Sequence, residues 1–259
     1  MRLLHKAGLA LALLTATALG GRAQAQIFQI AANPNAGLGS NPAQGYYYAD
    51  GSNQPTNASY AVGQVAIAGK TPSIDPIHDY FTFDLSSLNL AGKTITSAEL
   101  IVPSYLGFSD SGQTAFRYTV YDVSTSPTAL NAAQPSGNLG IYNDLASGNS
   151  YGAFNVPLNT VGQLTFSLGG TAFTDIKNSA GGYFSTGGVL SLTSGAALTA
   201  NSNEFLFAGS ENPTQGRPTL AIRTTPTPVP EASTTLSLAL LLALGAGGLA
   251  TARRKRRSA

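Results

Sequence analysis

Asp79-Tyr80-Phe81-Thr82-Phe83-Asp84-Leu85 and, ten residues on, Ile95-Thr96-Ser97-Ala98-Glu99-Leu100-Ile101-Val102-Pro103 decide the fold. In the first stretch Tyr80 and Thr82 fall on one side of an extended chain, and Phe81 and Phe83 on the other. In the second, Ala98, Leu100 and Val102 share a side. A period of two is the signature of a strand, because successive side chains point to opposite faces. Working outward, the same reading predicts strands over 26–30, 60–68, 114–123, 163–168, 188–193, 204–209 and 218–224. In 114–123, Phe116, Tyr118 and Val120 face one way and Arg117, Thr119 and Tyr121 the other. Weaker strands are expected over 140–142 and 153–156. The stretch 31–57, rich in Asn, Gly, Pro and Ala, reads as mostly loop, with a turn at Asp50-Gly51-Ser52-Asn53. Only 171–178 reads as helix. Many short strands with turn residues between them predict an all-β protein, an antiparallel β-sandwich of jelly-roll-like form. No internal repeat points to a solenoid or propeller.

Both ends of the chain read as addresses. Arg2 and Lys6 precede an apolar run over 7–19, and Ala23-Gln24-Ala25 supplies small residues at the positions a signal peptidase needs. Residues 1–25 are therefore expected to be a cleaved signal peptide handled by the Sec translocon and signal peptidase. Residues 232–252 are 21 in number and carry no charge. As a helix they would span about 30 Å, the thickness of a bilayer core. Arg253, Arg254, Lys255, Arg256 and Arg257 follow at once, which holds this end in the cytoplasm and leaves the preceding chain outside. Pro226, Pro228 and Pro230 make a stiff, extended spacer before the span. The chain thus divides into a leader (1–25), an exported domain (26–224) and a C-terminal segment (225–259).

Read from these residues alone, the C-terminal segment is a membrane anchor. The order of its parts resembles something more specific. Val229-Pro230-Glu231-Ala232, then a glycine-containing apolar helix, then a basic end is similar to the PEP-CTERM sorting signal of Gram-negative bacteria. Pro230 and Glu231 match the first two residues of that motif, and Ala232 departs from the third, which is proline. The resemblance implies processing by an exosortase near the motif, and so a transient stay in the inner membrane before the cell surface, outer envelope or extracellular matrix. It also implies a setting of exopolysaccharide and biofilm. The pairs 81–85 with 95–100, and 204–207 with 218–220, resemble a pattern of extracellular bacterial sandwich domains, which implies fold only.

The charge of +2 belongs to the addresses, not to the domain. Between Gln26 and Pro230 six cations face eleven acids, a net of −5, so a nucleic-acid partner is not expected. The chain has no cysteine, which excludes disulfides and thiolate chemistry.

His78 is the one histidine outside the leader, so any Ser-His-Asp chemistry would use it with Asp75, Asp79 or Asp84. No serine sits in a nucleophile-elbow motif, and the alternative is a strand-edge histidine with local carboxylate partners. Glu99 and Glu204 are candidates for a glycosidase pair, or else outward-facing polar residues. Asp50, Asn53 and Asp75, or Asp110 with Ser109 and Ser111, supply oxygens for a structural Ca²⁺, though without EF-hand spacing. No other metal or cofactor is indicated. Tyr46, Tyr47 and Tyr48, with Tyr60, Tyr105, Tyr142 and Tyr151, suit either a sugar-stacking surface or packing. The expectation is a non-enzymatic exported surface or matrix protein. The alternatives are a carbohydrate-binding module and, third, a glycan-cleaving enzyme.

Overall fold

The aromatic alternation around Phe81 lies in the longest strand of the larger of two sheets. A computed structural model of the chain describes residues 24–32, 43–53, 59–66, 74–207 and 216–227. Within them the strands are β1 (Gln26–Ala31), β2 (Gln44–Tyr48), β3 (Val62–Ala66), β4 (Ile74–Asp84), β5 (Lys93–Ser104), β6 (Phe108–Ser109), β7 (Ala115–Asp122), β8 (Ser150–Pro157), β9 (Gly162–Leu168), β10 (Tyr183–Leu192), β11 (Glu204–Leu206) and β12 (Thr219–Pro226). The helices are α1 (Pro127–Leu130), α2 (Leu139–Asp144) and α3 (Ala172–Asn178). One sheet has the order β1-β12-β5-β9 and the other β6-β11-β3-β4-β10-β7-β8, with β2 also beside β4. The pairings are antiparallel. The fold is an all-β sandwich.

Phe81, Phe83, Phe116, Tyr118 and Val120 of the larger sheet meet Leu100, Val102, Phe166, Leu220 and Ile222 of the smaller in one buried core. The Tyr118 and Phe166 rings, one from each sheet, lie 5.2 Å apart. Apolar area removed from water here is the main stabilising term. Strand β4 is buried on its second face as well. Tyr80 joins Tyr47, Leu130, Ile141 and Leu145 in a separate cluster, and Thr82 is buried beside it. The cover is the 123–149 connection, which leaves β7, carries α1 and α2 over the outside of the larger sheet, and returns as β8.

Three expectations need correction. Residues 140–142 are in helix α2, not a strand, and the 171–178 helix is not alone. The stretch 31–57 contains a genuine strand, β2, which pairs with residues 77–81 of β4. Helices of four and six residues are too short to print a 3.6-residue period, and three consecutive tyrosines print no alternation.

Gln26 sits opposite Thr224, and Lys93 opposite Pro226. The chain therefore enters β1 and leaves β12 at the same end of the smaller sheet, where the Thr227 N–H donates to the Gly92 carbonyl at 2.8 Å. Ala25 is exposed just before β1. Ala23 and the rest of the leader lie outside the described residues. So do Val229, Pro230, Glu231 and Ala232, and the basic residues Arg253, Arg254, Lys255, Arg256 and Arg257. Among the described residues no helix is long and apolar enough to cross a membrane.

Candidate functional site

Strand alternation divides the tyrosine triplet. Tyr47 points under the 123–149 connection, is fully buried, and donates its hydroxyl to the Leu130 carbonyl at 2.8 Å. Tyr46 and Tyr48 point the other way, their rings 5.2 Å apart and nearly perpendicular, with the hydroxyls 3.2 Å apart. Tyr48 is buried and Tyr46 half-buried. The three rings therefore form no common platform, and Tyr47 presents no surface to a sugar. Tyr60 is buried between the sheets and donates to the Pro103 carbonyl at 2.9 Å.

His78 has no local carboxylate partner. Its ring stacks on Tyr142 at 3.9 Å, and Nδ1–H donates to the Tyr142 carbonyl at 2.9 Å. That bond fixes the tautomer and leaves Nε2 as the basic nitrogen. Burial pushes its pKa down, against the carbonyl, to about 4. The neighbouring Asp79 points to the opposite face, into the sandwich. There the Tyr118 hydroxyl reaches its two oxygens at 3.0 and 3.2 Å. Burial raises the Asp79 pKa well above the carboxylate range, and the Tyr118 hydrogen bond does not offset this. Gly188 lies opposite in β10, and a Cβ there would collide with both the Asp79 carboxyl and the Tyr118 hydroxyl. This is a buried acid, biased toward its neutral form, in a space only glycine leaves open.

The other candidates act as loop staples. Glu204 is buried, not outward-facing, and accepts from the Ser111 hydroxyl and from Thr199 N–H at 3.0 Å. Glu99 is in the other sheet, so the two are not brought together as a pair across one groove. Asp110 accepts from Asn203 N–H at 3.1 Å, Asp50 from Ser52 N–H at 2.9 Å, and Asn53 from Gln134 N–H at 2.8 Å. Asp84 accepts from Ser86 N–H at 2.8 Å. Among the described residues no three His, Asp or Glu side chains gather as a metal-holding group.

The structure assembles a different site from residues that no motif marks. A cleft of about 290 Å³ opens between α3, the end of β7 and the start of β10. Helix α3 buries Ala172 and Ile176, which turns Asp175 and Asn178 toward the cleft. Tyr151 donates its hydroxyl to Asp175 at 3.0 Å, and burial with that carboxylate raises the tyrosine pKa. Its ring stacks against Phe184 at 5.8 Å. Asp122 also lines the cleft and accepts from Asn149 N–H at 2.6 Å. The rim at Ser124 and Thr125 is held by Asp144, which accepts from both backbone N–H groups and both hydroxyls. Burial works against charge on Asp144, but these four donors outweigh it and its pKa is lowered. The cleft residues are spread along the chain from Asp122 to Ser185, so only the folded chain brings them together.

Compared with models of known protein families and with curated proteins, the chain matches none.

Proposed function

We propose that the protein is an exported β-sandwich, delivered by its leader and C-terminal segment to the envelope, trimmed there by an exosortase, and used as a non-enzymatic component of the cell surface or exopolysaccharide matrix. The observation that carries this reading is the shared end of β1 and β12. Gln26 opposite Thr224 means that a leader and a membrane-spanning tail would both attach at one pole of the domain. The sandwich can then be complete and solvated while either segment is still in the membrane, and cutting the tail removes no strand. The strand order β1-β12-β5-β9 over β4-β10-β7-β8 supports the jelly-roll form, with the short strands β2, β3, β6 and β11 added beyond β4. The separation of Glu99 and Glu204 between sheets removes those two residues as a glycosidase pair.

Intact mass spectrometry of the protein from its native envelope and medium tests this. Processing predicts a C-terminus near Pro230 or Glu231, with the apolar run gone. A chain that begins near Gln26 and still ends at Ala259, found in the inner membrane, would make it a plain anchored protein and reject exosortase processing.

A further inference from the structure

We propose that the cleft between α3 and the ends of β7 and β10 binds a neutral sugar residue of a polysaccharide. Its volume of about 290 Å³ stands at the small end of ligand pockets, about 300–1,000 Å³, and suits one ring rather than a large cofactor. Its chemistry is that of a polyol site. Asp122, at the end of β7, and Asp175, in α3, both line it and offer carboxylate oxygens. Ser185, buried, and Asn178, exposed, also line it and offer groups that both donate and accept. Tyr183, half-buried in the lining, adds aromatic surface that suits the C–H face of a sugar ring, while Tyr151 and Phe184 are packed and offer no face. Carboxylates beside hydroxyls and an aromatic ring match vicinal OH groups, each of which donates one hydrogen bond and accepts another.

The charge of the lining narrows the class. No lysine or arginine lines the cleft, and two aspartates do. Phosphate, sulfate and uronate groups would meet carboxylates with nothing to neutralise them, so acidic polymers are disfavoured.

The site is built on rigid parts. Asp122 is tied to Asn149, Asp175 to Tyr151, and the rim to Asp144, so little ordering remains for a ligand to impose. It also opens at the pole where the chain leaves β12, since Asp84 pairs with Tyr183 and leads through 85–92 to Lys93. A bound polymer would therefore lie against the end of the domain that carries the sorting segment. The proposal does not depend on what happens to that segment.

The test is affinity electrophoresis of the full chain, in non-ionic detergent, through gels containing galactomannan (neutral) or alginate (acidic). Retardation by galactomannan and not by alginate is expected. Asp175→Asn, which keeps an acceptor for Tyr151, and Asn178→Trp, at an exposed lining position, should each weaken retardation about tenfold with an unchanged urea midpoint. Tyr46→Ala, outside the cleft, should leave retardation unchanged. No retardation of the parent by galactomannan, equal retardation of both cleft variants, retention on alginate, or loss with Tyr46→Ala would each overturn the proposal. A negative result here alongside a C-terminus at Pro230 would reject the sugar site and leave the export reading standing. The reverse pair of results would do the opposite.

Discussion

His78 and Asp79 are consecutive in β4, and burial drives both toward their neutral forms on opposite faces of one sheet. Their consequences for stability have opposite signs. His78 has a folded pKa of about 4 against roughly 6.5 when unfolded, so the unfolded chain takes up the proton first. Its contribution is complete above about pH 6.5 and is lost as pH falls from there toward 4. Asp79 is raised, so its contribution is complete below the unfolded value of about 3.9 and declines as pH rises toward its folded pKa. His78→Phe keeps a ring on Tyr142 and removes the titration. Between pH 6.5 and 4 it should lose less stability than the parent, with a difference on the order of 2–3 kcal/mol. Asp79→Asn should raise the urea midpoint relative to the parent more at pH 7 than at pH 4. Urea midpoints across this range check both, and parallel pH curves for parent and variants would show that neither group is held neutral by the fold.

The 123–149 connection is the element that converts an ordinary two-layer sandwich into one with a third, partial layer. Its two ends are clasped by carboxylates, Asp144 on Ser124 and Thr125, and Asp122 on Asn149. Between them Leu130, Ile141 and Leu145 seal Tyr47 and Tyr80 from water. Asp144→Ala removes four hydrogen bonds at an exposed rim, where water can replace part of them, so a cost of about 1–3 kcal/mol is expected. Hydrogen exchange should report it first at the Ser124 and Thr125 amides, while β4 and β7 amides keep their protection. Uniform loss of protection would mean that the clasp holds the whole sandwich.

Little of this layer is legible in the sequence. Long strands buried on one face, such as β5 and β7, print a period of two and are found by it. β4 prints the same period, but the cover on its second face is supplied by two short helices without periodicity. The buried face of Tyr47 is likewise invisible, because Tyr46 and Tyr48 beside it have the same composition. The cleft is harder still. Asp122, Tyr151, Asp175 and Ser185 fit no spacing motif, and their proximity follows from the register of β7, β8 and β10, with α3 placed at the sandwich end. The one signal available in sequence was a shortage of cations across the domain, which fits a site that refuses anions.

At the scale of the whole molecule, polarity is the property that connects fold and destination. Strand β5 has twelve residues, so the poles of the smaller sheet are about 40 Å apart. One pole carries Gln26, Pro226, the 85–92 loop and the cleft. The other carries Leu106, Phe108 and Val161, exposed apolar residues remote from Gln26 and Pro226. If the C-terminal segment holds the unprocessed chain in a membrane, the first pole faces the bilayer and the second faces away. The absence of cysteine makes this directly measurable, because any introduced thiol is unique. Asn89→Cys marks the near pole and Val161→Cys the far one, both at exposed positions. In full-length chains reconstituted in vesicles, a donor dye at Asn89→Cys should transfer energy to acceptor lipids strongly, and one at Val161→Cys weakly. Because the spacer between Thr227 and the apolar run is only a few residues, a 40 Å difference in height cannot be averaged away by tumbling of the domain. Equal transfer from both positions would mean that the sandwich lies flat or floats free, and the shared end of β1 and β12 would then lose its meaning as the membrane-facing pole.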